Sequence, residues 1–274
     1  MIRFLTPLCA VLLVAGSVPA ADTKKLTLRW HGQSFFDLET SAGARIVFDP
    51  HAIEAYGRTE VTADLILISH FHDDHTQVGV VQVNKNDKIK KPIIAGLKPV
   101  SRTKTEWEAI DEKLSIKGQE IRIRTVGTYH DTMQGMERGK NAVFIIDVDG
   151  LRIVHLGDLG HRLHPSTLKK IGKVDVLMVP VGGTYTINGS EAKEVVAQIK
   201  PRRYIIPMHY GTAAYRHLVG PDEFLDEQDP KLVKRFKTNE LIIDADAVPR
   251  KDPVIALLSY EPAEDKSKPK DKDK

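Results

Sequence analysis

Three histidines and two aspartates fall within six residues at His70-Phe71-His72-Asp73-Asp74-His75, directly after the apolar run Leu65-Ile66-Leu67-Ile68. A short, unbroken apolar run followed at once by polar residues reads as a buried strand. Side chains leaving the end of such a strand are held in place by the sheet behind them. His70 and His72 are two apart and point the same way in extended backbone. Asp74 and His75 come after the chain turns and can face a second ion. Imidazole and carboxylate suit zinc, iron or manganese, and no thiolate is present to select a softer metal. The competing reading is a solvated polar loop, which gives no reason for five ligand-type residues to follow a strand.

Around this stretch the chain is rich in strands. Period-two and short apolar runs predict strands at 26–30, 35–39, 45–48, 65–69, 93–95, 120–126, 142–148, 152–155, 174–179, 204–206, 241–243 and 254–258. Ser41-Ala42-Gly43 and Asp149-Gly150 read as hairpin turns. Helices are fewer: 165–171, 190–199 with Ser190 as its N-cap, and 222–236, interrupted at Pro230. Two batches of strands with few helices predict an α+β fold, an αββα sandwich of two mixed β-sheets with helices outside.

The ends of the chain read differently from its middle. Arg3, the apolar stretch Leu8 to Gly16 and the small residues Val18-Pro19-Ala20 make residues 1–20 an expected secretory signal peptide, too short for a spanning helix. A retained membrane anchor is the alternative. The only cysteine, Cys9, would leave with it, so the mature chain would carry no thiol, as an oxidising compartment permits. Residues 21–262 are then expected to form one domain, and 263–274, almost devoid of apolar residues, a disordered charged tail. Loss of Arg3 takes the formal charge from +3 to +2. That near-balance, without a basic block, argues against nucleic acid as a partner. No other run is long and apolar enough to span a membrane. The expected location is periplasmic or secreted.

A two-metal site needs further ligands, because the ions lie about 3.5–4 Å apart and each takes several donors. Three more candidates sit at strand exits: His130 in Gly127-Thr128-Tyr129-His130-Asp131, Asp158 in His155-Leu156-Gly157-Asp158, and His209 in Pro207-Met208-His209-Tyr210-Gly211. Each alone reads as an ordinary structural residue; together they read as a set.

His-x-His-x-Asp-His, a lone His, a Gly-Asp and a late His, in this order, resemble the metallo-β-lactamase fold superfamily. The sequence is most similar to its ascorbate-6-phosphate-lactonase-like branch of metal-dependent hydrolases, and also resembles the phospholipase D acting on N-acyl phosphatidylethanolamines. Trp30-His31-Gly32-Gln33-Ser34-Phe35, Phe48-Asp49-Pro50, Gly157-Asp158-Leu159-Gly160-His161, Pro180-Val181-Gly182-Gly183-Thr184-Tyr185-Thr186 and Pro207-Met208-His209-Tyr210-Gly211-Thr212 carry the resemblance, as do His130-Asp131, Gly135, Arg138-Gly139 and Asn141. It implies that His70, His72 and His130 hold one metal, that Asp74, His75 and His209 hold the other, and that Asp158 bridges both. It also implies that Asp49 orients ligand histidines, where the residues alone allow an ordinary turn aspartate before Pro50. True β-lactamases of this fold often place a cysteine in the second site, so the absence of one disfavours β-lactam hydrolysis.

The expected cofactors are therefore two divalent metal ions, zinc first, with manganese or iron as alternatives. The expected chemistry is hydrolysis of a small ester, lactone or phosphodiester by a metal-bridging hydroxide, oriented by Asp74 as the catalytic residue. The partner is a small-molecule substrate. Loop 131–140, with Arg138 and Lys140, either covers the site and pairs with an anionic substrate group or is simply solvated. His31 and His161 either face the pocket or support it, Tyr185 and Tyr210 either donate a proton or pack, and His155 is expected to be buried and structural. A nuclease of the same fold and a metal-binding module without catalysis remain the competing functions.

Overall fold

The computed structural model describes residues 23–57, 60–85, 89–101 and 104–262. The expected signal peptide and charged tail lie outside the described residues. In chain order the elements are β1 Lys25–Trp30, β2 Phe36–Glu39, β3 Arg45–Phe48, β4 Val61–Ala63, β5 Leu65–Ile68, β6 Val81–Val83, β7 Ile93–Ala95, β8 Leu97–Pro99, β9 Thr105–Trp107, β10 Asp111–Ile116, β11 Gln119–Tyr129, β12 Lys140–Val148 and β13 Leu151–His155. There follow α1 Pro165–Ile171, β14 Val176–Pro180, α2 Gly189–Ile199, β15 Tyr204–Met208, α3 Asp222–Leu225, β16 Val233–Arg235, β17 Glu240–Asp244 and β18 Val254–Leu257.

Two mixed sheets form the sandwich, as the sequence predicts. One runs β17-β1-β2-β3-β5-β7, the other β10-β11-β12-β13-β14-β15-β18-β16. In the first, β17, β1, β2 and β3 pair antiparallel, and β3, β5 and β7 run parallel. In the second, β10 to β13 are antiparallel, and β13, β14, β15, β18 and β16 are parallel. Alternate residues of β1, Leu26, Leu28 and Trp30, enter the core between the sheets, where they join Leu65 and Leu67 of β5 and Ile121 and Ile123 of β11. β5 is buried on both faces: Ile66 and Ile68 point away into a second cluster with Phe35, Val47, Val61, Ala63 and Val81. The β4–β6 ribbon supplies part of that outer cover.

Both predicted hairpins form. Asp149 and Gly150 carry φ of 52° and 78°, the left-handed pair that a tight two-residue turn between β12 and β13 requires. Two helix expectations need correction. The N-cap of α2 is Asn188, not Ser190: its side chain accepts from Glu191 N at 2.8 Å while Glu191 Oε2 accepts from Asn188 N at 3.0 Å. That reciprocal box satisfies two N–H groups at once, and it leaves the Ser190 hydroxyl to donate to Glu223. The expected 222–236 helix stops at Leu225. Glu227 turns left-handed at φ 63°, and Val233–Arg235 instead pairs parallel with β18.

The topology places the site. β13 and β15 are parallel through β14, and β11 shares their direction because two antiparallel steps separate it from β13. The C-terminal ends of β11, β13 and β15 therefore open on one edge. In the other sheet β3 and β5 are parallel, so Asp49 and His70 also leave at a common edge.

Candidate metal centre

All seven side chains expected as ligands meet at that edge. His130 Nε2, His75 Nε2 and His209 Nε2 lie 3.2, 3.3 and 3.1 Å from one atom, Asp158 Oδ2, and His70 Nε2 lies 3.9 Å from it. His72 Nδ1 is 3.1 Å from His70 Nε2, and Asp74 Oδ1 is 3.6 Å from His75 Nε2. Three overlapping triads have mutually close donor atoms: His70, His72 and His130; His70, His75 and Asp158; Asp74, His75 and His209. Among them only His72 is exposed and Asp74 half-buried, so the cluster opens to solvent on the side of the 70–75 loop.

Hydrogen bonding behind the cluster sets its tautomers. The Ser69 hydroxyl donates to Asp49 Oδ2 at 2.6 Å. Its single proton is thus committed, so at 2.9 Å it accepts from His70 Nδ1–H. His70 Nε2 is left as a bare lone pair aimed at His72 and Asp158. Asp49 also accepts from Ser69 N and lies 3.1 Å from His75 Nδ1, which favours the proton on that nitrogen and leaves Nε2 free. His130 Nδ1, His209 Nδ1 and both nitrogens of His75 are buried without an aligned hydrogen-bond partner.

Nε2 lone pairs crowded on one carboxylate oxygen repel it and one another unless a positive charge lies among them, and His75 Nε2, buried there without an aligned partner, marks the place for one. The protonation preferences agree. Burial pushes the His70 and His72 imidazoles toward the neutral, lone-pair form. Burial acts the same way on His75, but Asp158 and Asp49 outweigh it and hold its pKa well above the usual histidine value. Burial would raise Asp158, yet His209 and His75 hold it well below the carboxylate range. The carboxylates stay charged and draw a proton onto His75, so the cluster calls for positive charge at its centre, and a donor set of neutral imidazoles and carboxylates fits a divalent metal that would take that proton's place.

Three residues quoted in the sequence pattern but given no role also belong here. The Ser34 hydroxyl donates to Asp158 Oδ1 at 3.2 Å, leaving Oδ2 to the imidazoles. Gln33 Nε2 donates to Asp74 Oδ2 at 3.2 Å, and its carbonyl accepts from His209 N at 3.1 Å. Asn141 is a third support: it accepts from Asp158 N and donates to Leu156 O. A Cβ at Gly157, where φ is +56°, would sit 2.3 Å from Asn141 Oδ1 and 2.8 Å from Ser69 Cβ, so only glycine lets the Asp158 turn approach the opposite sheet this closely.

The other histidines stand outside the cluster. His31 pairs with Asp37 at 2.9 Å. His161 uses both ring nitrogens on backbone, accepting from Tyr129 N and facing Arg162 O. His155 is buried against Phe48 and accepts from Gly157 N, so its Nε2–H donates to Ser34 O. His51, for which the sequence offers no partner, bonds His31 O and Ile53 N, and burial lowers its pKa to about 4. Tyr210 is buried against Trp30. A cavity of about 320 Å³ lies over the cluster, lined by His72, Asp74, His130, Asp158 and His209 together with Arg138 and Tyr185.

Two mixed sheets with a His/Asp cluster at their shared edge define the metallo-β-lactamase class of fold. A family model described as a beta-lactamase superfamily domain matches residues 27–209, and the chain belongs to that superfamily. A UPF0173 metal-dependent hydrolase of Thermoplasma acidophilum is 30% identical over 197 residues, which cover 69% of this chain and 85% of that protein. A UPF0173 protein of Pyrococcus furiosus is 32% identical over 216 residues, 77% of this chain and 96% of that one. The crystal structure of a Thermotoga maritima protein, described as a Zn-dependent hydrolase of the metallo-beta-lactamase superfamily, superposes with a TM-score of 0.60 at 32% identity, over 85% of this chain and 98% of that one.

Proposed function

We propose that this protein is an exported, dinuclear metal-dependent hydrolase of small esters, lactones or phosphodiesters. The observation that carries the reading is the crowding of His75, His130 and His209 Nε2 within 3.3 Å of one Asp158 oxygen, with His70 Nε2 just beyond. The relatives described as metal-dependent and Zn-dependent hydrolases support it. His70, His72 and His130 would hold one ion, Asp74, His75 and His209 the other, and Asp158 would serve both. Such ions, when bound, supply Lewis acidity and lower the pKa of water. Zinc suits the imidazole-rich set first, with manganese or iron next.

The chain's own residues do the rest. Ser34 and Asn141 fix Asp158, while Ser69 and Asp49 fix His70 and His75. Asp74 stands half-exposed at the cavity with Gln33 on one oxygen, placed to accept a hydrogen bond from an attacking water and to orient it. Export is proposed from the signal-like residues 1–20 and would put the reaction in the periplasm or outside the cell.

The test is turnover of an ester, a lactone and a phosphodiester by the purified protein before and after chelation, with metal analysis alongside. Hydrolysis of at least one class is expected, lost on chelation and restored by zinc or manganese. Activity that survives complete metal removal would overturn the mechanism.

A further inference from the structure

The loop after His130 is built rather than solvated. Asp131 accepts four backbone N–H groups, from Met133 and Gly135 at 2.8 Å and from Glu137 and Arg138 at 3.1 and 2.7 Å. Gly139 N donates to Gly135 O, and His130 N to Gly139 O, closing the loop on itself. At Gly135, with φ +81°, a Cβ would lie 2.9 Å from Gly139 O, so the closure needs glycine there. The loop is thereby tied to the backbone of a cluster residue.

That construction aims Arg138 at the cavity over the cluster. Its guanidinium carbon sits 5.8 Å from the ring centroid of Tyr185, within the range of a cation–π contact. Its only ion pair among the described residues is with its neighbour Glu137, 3.5 Å away and itself exposed. Arg122 and Arg152, by contrast, each grip a single aspartate with two nitrogens. An exposed guanidinium fork on a loop closed by its own hydrogen bonds, beside an aromatic face at a ligand-sized cavity and with its donors largely unspent, matches the geometry of a carboxylate or phosphate.

We infer that Arg138 binds an anionic oxygen group, a carboxylate or a phosphate, on the molecule that occupies this cavity. This deepens the hydrolase reading, since it makes the substrate an anionic ester, lactone or phosphodiester, and it rests on that reading for the chemistry alone. Tyr185 is the platform that orients the fork.

The experiment is calorimetric titration of the metal-loaded full chain with benzoate, with phenyl phosphate and with the neutral isostere benzamide. Arg138→Ala is expected to weaken benzoate or phenyl phosphate by about 10- to 100-fold, the range for a hydrogen bond to a charged group, while benzamide shows no comparable loss. The arm with the larger loss identifies carboxylate or phosphate as the group read. Arg138→Lys recovers only part of the affinity, because it restores charge without the fork, and Tyr185→Ala loses less than Arg138→Ala. Equal anion affinities in the wild type and Arg138→Ala, or no anion binding by the wild type, would overturn the inference. Because binding is read without turnover, a chain that hydrolyses nothing yet loses anions on Arg138→Ala would refute the hydrolase reading and keep the anion site.

Discussion

Asp158 illustrates how one residue is given its role by its neighbours. Its carboxylate has two oxygens, and the Ser34 hydroxyl engages Oδ1, so that the imidazoles share Oδ2 alone. Asp158→Ala should therefore abolish both metal retention and hydrolysis. His161→Ala should cost much less: it removes an acceptor from Tyr129 N, beside His130, and leaves the cluster intact. An effect nearer 10–100-fold is expected for such an outer support. Ser34→Ala should fall in the same range in metal affinity, read by competition with a chromophoric chelator. Equal losses for Asp158→Ala and His161→Ala at unchanged metal content would mean that the shared oxygen is not where the ions sit. The sequence disclosed the clustered residues because imidazoles and carboxylates directly after apolar strands are visible as a pattern. Ser34 and Gln33 were not legible in the same way. They are single polar residues in a turn, and their partners lie 124 and 41 residues away; only the surrounding Trp30-to-Phe35 pattern pointed to them.

At the scale of elements, sequence periodicity found most of the apolar strands, the three-residue β7 among them, and missed the polar six-residue β10 and several short strands. β4, β6, β8 and β9 have three residues each, too few to show alternation, and their pairing comes from neighbours that fold onto them. β16 looked helical because its strand identity depends on β18, which arrives about twenty residues later. The antiparallel half of the first sheet depends on a cross-strand charge network that no single strand reveals. Asp37 on β2 is fully buried and meets Arg29 of β1, Arg45 of β3 and His31. Glu39 and Glu240 hold Arg29 from either side. Burial would raise the Asp37 pKa, but the His31 hydrogen bond and the charges of Arg45 and Arg29 keep it below the usual value. A carboxylate depressed on folding stabilises fully above its unfolded pKa of about 3.9 and loses that contribution as pH falls through the folded value. Asp37→Asn should therefore cost about 2 kcal/mol at pH 7, short of the roughly 3–5 kcal/mol of a fully buried pair because both guanidiniums keep some solvent. The gap between the urea midpoints of wild type and Asp37→Asn should narrow below about pH 4. A gap that stays constant through the acid range would mean that Asp37 is not the group that titrates.

Across the whole molecule, the metal-site reading makes the edge of the sandwich a joint between two halves. The first sheet contributes His70, His72, Asp74 and His75, which follow β5, while the second contributes His130, Asp158 and His209, which follow β11, β13 and β15. Direct bonds across this edge are few: among them, His209 N donates to Gln33 O, Ala142 N to Ser69 O, His155 Nε2 to Ser34 O, and the Ser34 hydroxyl to Asp158 Oδ1. Between them lies a buried knot of imidazoles around an ionised carboxylate, which is costly to desolvate without a cation. Metal that binds this arrangement and not the unfolded chain stabilises the fold by mass action, by about 4 kcal/mol at a thousandfold excess over its Kd. For a domain of this size that corresponds to roughly 10 °C in melting temperature. Chelation should lower the wild-type melting temperature by about that amount and leave Asp158→Ala unmoved, because that variant has already lost the shared oxygen. A wild-type melting temperature indifferent to chelation, in protein shown to carry metal beforehand, would place the ions somewhere other than the joint between the sheets.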